Sequence, residues 1–113
     1  MRAEKTSRAS NDLNTLNPLE VALTLYSYGL SLSNQGRHIK ALEVFDVVLQ
    51  LQYYYQDIPP FVCKVDIART HIAVSLTLRL IARNALAEDH RNAALDHLVE
   101  FYGTDDFQHI HLL

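Results

Sequence analysis

The side chains best suited to chemistry in this chain are its six histidines. Two sets stand out, namely His109 and His111 close to Asp105 and Asp106, and His90 with His97 seven residues later. A helical zinc site such as HExxH needs two histidines four residues apart, on one face of a helix. Neither set has that spacing, so the sequence predicts no metal site and no cofactor.

A nucleophilic enzyme is also not indicated. Cys63 is the only cysteine, and it lies in an apolar run where an unreactive thiol is expected. The chain has no GxSxG, phosphate-loop or dinucleotide-binding motif. We therefore expect a protein that is not an enzyme. A single cysteine can form no intrachain disulfide, which favours a reducing, cytoplasmic setting.

Composition limits the kind of partner. The chain has 113 residues, of which 49% are hydrophobic and 20% are charged, as in ordinary globular domains. A net charge of -3 is too mild to indicate nucleic-acid binding. The apolar run near residues 72–82 is interrupted by Thr77 and Arg79, so no stretch has the length that a membrane-spanning helix needs.

The elements that would position any site are helical, and the sequence predicts an all-α fold. Asn17 and Pro18 form a favourable helix start, and Gly36 can adopt the left-handed conformation that ends a helix. A second helix is predicted from Arg37 or His38 to about Tyr53 or Tyr54. Pro59 and Pro60 then enforce a connection, because proline is not tolerated inside a helix.

The second half of the chain predicts a central helix and a final one. Residues 61–84 contain no glycine or proline and carry apolar side chains around most of the helix surface, which is typical of a buried helix. A strand over residues 72–80 is the competing prediction, since β-branched residues are common there. A polar break is predicted at residues 87–90, followed by a last helix over 91–102 that stops at Gly103.

These boundaries predict one helical domain over residues 17–104, flanked by a flexible N-terminal tail at 1–16 and a C-terminal tail at 105–113. A partner-binding arm is the alternative interpretation of residues 1–16.

Small and large residues recur between the two halves. At a shift of 53 residues, Gly29 matches Ala82, Ala41 matches Ala94, and Phe45 matches Leu98. Small residues let antiparallel helices approach closely, and a bulky neighbour fills the adjacent space. The pattern therefore predicts two copies of one helical packing unit. An unrelated four-helix arrangement is the alternative.

The first copy resembles the tetratricopeptide (TPR) repeat, a pair of antiparallel helices of 34 residues. Gly29, Gly36, Ala41 and Phe45 occupy its small and aromatic positions, while Leu25 stands where the family has tryptophan. The resemblance implies a TPR-like superhelical arrangement of four to five helices. Two units are fewer than a free-standing array normally needs, so we expect support from a partner or a second copy.

The first repeat is similar to that of the small TPR chaperones of bacterial type III secretion systems. The residues that carry this resemblance are Leu25-Tyr26-Ser27, Gly36, Val44-Phe45 and Leu51 to Tyr54. It implies a small cytoplasmic chaperone that holds an aggregation-prone secretion-system subunit in an apolar groove. A structural adaptor or a homodimeric scaffold subunit of a larger complex is the alternative.

The resemblance also implies groove positions on the inner helix of each pair. In the two copies these include Leu23, Tyr26, Leu30, Asn34, Leu76, Arg79 and Arg83. Tyr26 and Leu30 share a helix face and are expected to bind an amphipathic helix or extended segment of a protein partner, or else to pack in the chain's own core. Arg79 and Arg83 are expected to share a face and bind carboxylates, or to lie on a solvated edge.

Three adjacent tyrosines, Tyr53, Tyr54 and Tyr55, cannot all face one core. We expect at least one, represented by Tyr54, to contact solvent or a partner, in the manner of an interface hot spot. The alternative is an apolar plug beneath the prolines. The sequence is compatible with a homodimer and with a heterodimer.

Overall fold

The computed structural model describes residues 17–59 and 64–107. Over these ranges the chain forms four α-helices and no strand, which confirms the all-α prediction. The helices are α1 (Pro18–Asn34), α2 (His38–Tyr55), α3 (Lys64–Leu80) and α4 (Asn84–Phe107). The predicted tail at residues 1–16 lies outside the described residues. The strand considered for residues 72–80 is wrong, because that segment belongs to α3.

Helix α1 begins and ends as its sequence predicts. The side chain of Asn17 accepts a hydrogen bond of 2.8 Å from the Leu19 backbone N–H, which caps the start. Gly36 has a φ of 82°, and the Arg37 N–H bonds the Leu32 carbonyl at 2.9 Å. This turn satisfies carbonyls that the helix end leaves unpaired. A turn of three residues then reverses the chain into α2.

The first hairpin is held by close packing of α1 on α2 at one glycine. A Cβ placed on Gly29 would lie 2.6 Å from Phe45 Cε1, which is closer than atoms can approach. Phe45 is fully buried, and its ring packs against Tyr26 with centroids 5.9 Å apart. The missing side chain of Gly29 therefore makes the space that the Phe45 ring fills.

Helix α3 is the central helix, as its apolar surface predicts. Its buried residues extend around the cylinder, because it packs along α4 on one side and against α2 on another. α1 makes few contacts with α3. The main core contains residues from all four helices: Leu32, Ala41, Phe45, Leu49, Ile67, Ala73, Val74, Leu78 and Ala87. A smaller cluster of Ala68, Ala94 and Leu98 joins α3 to α4.

The second hairpin turns earlier than predicted. α3 ends at Leu80, and Ala82 adopts a φ of 62° in the following turn. The predicted break at residues 87–90 is wrong, since these residues lie inside α4 and Ala87 is fully buried. The predicted stop at Gly103 is also wrong, because α4 continues to Phe107.

The spacing of the two hairpins is therefore 46 residues, the separation of Gly36 from Ala82, and the predicted shift of 53 is wrong. The backbone bonds of the two turns correspond at this spacing: Arg83 N–H bonds Leu78 O at 2.8 Å, as Arg37 bonds Leu32. The error is seven residues, about two helical turns, which brings the same faces back into register. The apolar pattern alone could not separate the two registers.

No described helix combines the length and apolarity needed to cross a membrane.

The contact between Gly29 and Phe45 can be tested by Gly29→Ala. The new methyl group collides with the ring, and the net loss of unfolding free energy should be about 1–2 kcal/mol, since alanine's better helix propensity offsets part of the strain. Urea unfolding measures the change. Ser27→Ala, at an exposed site of the same helix, should change it by less than about 0.5 kcal/mol. A Gly29→Ala protein as stable as the original would contradict this packing.

The two turns should respond oppositely to glycine and alanine. Ala82→Gly removes the strain of a left-handed alanine and should raise the unfolding free energy by up to about 1 kcal/mol. Gly36→Ala introduces that strain and should lower it by about 1 kcal/mol or more. Thermal unfolding of both variants provides the measurement. A loss of stability in Ala82→Gly would argue against the turn at Ala82.

Candidate functional site

An apolar groove runs between α1 and α3, where the two hairpins diverge. One part of it is a cavity of about 240 Å³ with predominantly apolar walls. The walls include Tyr26 and Leu30 from α1, Arg69, Ile72 and Leu76 from α3, and Leu98 from α4. We call this space, together with the adjoining cavity described next, the apolar groove.

The adjoining cavity, of about 200 Å³, shares Tyr26 and Arg69 with the first and is more polar. Leu19, Glu20 and Leu23 line it from α1, Gln52 from α2, and Asp66 and Thr70 from α3. Arg69 pairs with Asp66, with 3.5 Å between Nη1 and Oδ1. The Thr70 hydroxyl donates a 2.9 Å hydrogen bond to Gln52 Oε1, both residues being buried. The groove thus has an apolar part and a polar end.

Four of the residues predicted for partner binding come together in this groove. Leu23, Tyr26, Leu30 and Leu76 all line it, and the three leucines are exposed. Tyr26 is half-buried, and burial raises the pKa of its hydroxyl, a shift that nearby Arg69 opposes and Asp66 reinforces. These side chains offer apolar surface to a segment lying between α1 and α3. Their role in binding stays a prediction.

The other predicted residues lie outside the two cavities. Asn34 is the last residue of α1, Arg79 lies near the end of α3, and Arg83 belongs to the following turn. The expectation that Arg79 and Arg83 share a helix face is wrong, because the chain leaves α3 at Leu80 between them. Tyr54 is 70% exposed, and its ring packs edge-on against Tyr55.

A second polar feature joins three helices and was not predicted. Tyr53 Oη of α2 lies 2.8 Å from His71 Nε2 of α3 and 2.9 Å from His97 Nε2 of α4. His71 Nδ1 lies 2.8 Å from His90 Nδ1, also of α4. These four side chains form one continuous series of hydrogen bonds, which we call the histidine chain.

Burial controls the protonation of the histidine chain. His71 is only 6% exposed. Its burial, and secondarily the neighbouring His90 and His97, lower its pKa to about 4. Burial also lowers the pKa of His90, opposed by Asp89, and that of His97, opposed mainly by Glu100. Burial raises the pKa of the Tyr53 hydroxyl. All four groups are therefore neutral at pH 7.

The sequence contains one signal from which the histidine chain could be predicted. His71 sits in the apolar run of the central helix, and a buried polar side chain requires a hydrogen-bond partner. The partners Tyr53 and His90 are 18 and 19 residues away, so only the tertiary structure identifies them. His90 and His97, which are seven residues apart in the sequence, both belong to the histidine chain.

Metal binding is not indicated by the described side chains, among which no group of three or more histidines, cysteines and carboxylates is placed to hold an ion. Cys63, His109 and His111 lie outside the described residues. Comparison of the chain with protein-family models, with curated proteins and with solved structures finds no match.

Tyr53→Phe tests the histidine chain. It removes the hydroxyl that contacts two imidazoles and leaves their Nε2 atoms without this partner, which should lower the unfolding free energy at pH 7.5 by about 1–3 kcal/mol. Tyr54→Phe is the matched control, because Tyr54 is 70% exposed against 38% for Tyr53 and lies outside the histidine chain, and it should change stability by less than about 0.5 kcal/mol. Equal stability of the two variants would contradict the hydrogen-bonded role of Tyr53.

Proposed function

We propose that this chain is a protein-binding module made of two TPR-like helical hairpins. The support for this arrangement is the close packing of Phe45 on Gly29 and the recurrence of one turn geometry after 46 residues. Buried alanines also recur at this spacing, since Ala22 corresponds to Ala68 and Ala41 to Ala87. Repeated small residues are what closely packed helical hairpins require.

The observation that carries the function is the apolar groove. Leu23, Leu30 and Leu76 are 55%, 38% and 54% exposed at its edges, so apolar surface from α1 and α3 faces one space. Fully covering an exposed leucine side chain is worth roughly 1.5–3 kcal/mol, and a leucine that is already half covered contributes about half of that. A partner segment with apolar side chains, in a helix or in extended form, would therefore bind between α1 and α3.

We infer further that the module is a small cytoplasmic chaperone, in line with the resemblance of its first repeat to type III secretion chaperones. A groove that is open along the surface suits a partner segment that would otherwise aggregate. The polar end, with Arg69, Asp66 and Glu20, would fix the direction of the bound segment through ion pairs and hydrogen bonds. In this proposal the chain binds its partner and performs no catalysis.

Charge placed in the groove should abolish partner capture. Leu30→Asp and Leu76→Asp each remove apolar contact area and bring an unpaired carboxylate into the interface, so affinity should fall at least about tenfold. Affinity capture from the source cells, followed by mass spectrometry, identifies the partner, and titration of that partner gives the dissociation constants. Ile39→Asp is the control, because Ile39 is also an exposed apolar residue, on α2, and lies outside both cavities.

Capture of the same protein by all four chains would show that the groove is not the binding site. A self-associated chain that becomes monomeric in Leu30→Asp, without any captured partner, would instead identify a second copy as the occupant of the groove. Circular dichroism of each variant checks that it remains helical.

A further inference from the structure

The histidine chain connects α2, α3 and α4 through Tyr53 and three histidines, and histidines titrate near neutral pH in unfolded peptides. Its hydrogen atoms can be counted. Each neutral imidazole carries one N–H and Tyr53 carries one O–H, which is enough for the three contacts between them. In the neutral state every link therefore has a donor and an acceptor.

One added proton is compatible with all three links. If His71 takes it, His71 donates to Tyr53 Oη and to His90 Nδ1, while Tyr53 donates to His97 Nε2. Protonation of both His71 and His90 is not compatible, because each of the facing Nδ1 atoms then carries a hydrogen and neither can accept. The two ring centroids are 5.0 Å apart, so the cations would also repel each other.

A buried nitrogen of His97 also disfavours a second proton on the histidine chain. His97 Nδ1 is buried and has no hydrogen-bond partner among the described residues. An imidazolium at His97 would leave that N–H unpaired within the protein, which is more costly for a charged group than for a neutral one.

Charged groups on all three helices lie near the histidine chain. Asp46 of α2 lines a small cavity together with His90. Lys64 of α3 disfavours charge on His97, while Asp89 of α4 favours charge on His90, and Asp96 and Glu100 favour charge on His97. Lys64 also pairs with Glu100. Burial outweighs the carboxylates, since the pKa values of all three histidines remain lowered.

The position of the histidine chain links it to the apolar groove. Leu98, which forms the α4 wall of the groove, follows His97 directly, and Ile72, on the facing α3 wall, follows His71. Gln52 and Thr70 at the polar end are the neighbours of Tyr53 and His71. Any movement of α4 away from α3 would remove Leu98 from the groove wall.

We propose that the histidine chain is an acid-sensitive latch that holds α4 against α2 and α3, and that its protonation opens α4 and dismantles one wall of the groove. The effect on groove occupancy rests on the proposed function, whereas the opening of α4 does not. In the cell, such a latch would make binding weaker in an acidified environment than at neutral pH.

The direction of the pH effect follows from linkage. A histidine in the open state has a pKa of about 6.5, and His71 in the closed state has a pKa of about 4. Between these values the open state binds more protons, so the closed state is fully favoured above pH 6.5 and loses stability as the pH falls towards 4. For His71 alone, the opening constant should rise roughly tenfold between pH 7.5 and pH 5.5.

Hydrogen–deuterium exchange of the full chain tests this proposal without any partner. After correction for the intrinsic rate at each pH, protection of amides in residues 84–102 should fall at least about tenfold between pH 7.5 and pH 5.5. Protection in α1 should fall by less than about threefold. In His71→Gln the loss of α4 protection should shrink below about threefold. His38→Gln, which changes a histidine that is not part of the histidine chain, should keep the full loss.

His90→Gln provides a second variant if His71→Gln does not fold, and it should also reduce the response. The latch would be overturned by an α4 protection change below twofold in the original chain, by an undiminished response in the folded histidine variants, or by equal loss in α1, which would mean global unfolding. Because the measurement uses no partner, its failure leaves the groove test intact, and failure of the groove test leaves the latch intact.

Discussion

The interface between α2 and α3 determines the geometry of the rest of the molecule, because the two hairpins meet mainly there. It combines apolar packing with polar contacts that allow few alternative registers. Leu49 and Phe45 of α2 belong to the same core as Ile67 and Val74 of α3, and at its edge Thr70 donates to Gln52 in a buried hydrogen bond. Buried polar pairs lose their partners when two helices slide past each other, so they favour one alignment over others. The angle between the hairpins, and hence the width of the groove between α1 and α3, follows from this alignment.

The apolar groove and the histidine chain use neighbouring residues of that interface. Gln52 and Thr70 line the polar end of the apolar groove, whereas Tyr53 and His71, the next residue in each helix, belong to the histidine chain. The two features are therefore one residue apart along each of the two helices. In the proposed latch, proton binding would change the shape of the groove because one helix pair positions both features.

The first hairpin could be predicted from its residues, because each boundary has a local cause. Asn17 caps α1, Gly36 provides the left-handed turn, and the small Gly29 lies opposite Phe45. The second hairpin could not be located, because its turn uses Ala82 in a conformation that alanine rarely adopts and a shift of two helical turns preserves the apolar faces. In the groove, Leu23, Tyr26, Leu30 and Leu76 were indicated by the family resemblance. The placement of Arg69 and Leu98 in the groove, and the contacts of His71, depend on how the two hairpins pack against each other. Local sequence patterns do not encode that packing.

We propose that the groove between α1 and α3 holds an apolar segment of a partner protein. Site-specific photo-cross-linking in the source cells, with p-benzoylphenylalanine introduced in turn at Leu30, at Leu76 and, as a control, at Ile39, detects such a segment in place. We expect positions 30 and 76 to become joined to one short apolar segment of the same partner, and position 39 not to be joined to it. Cross-links of equal yield from position 39, or products from positions 30 and 76 that map to unrelated proteins, would contradict it.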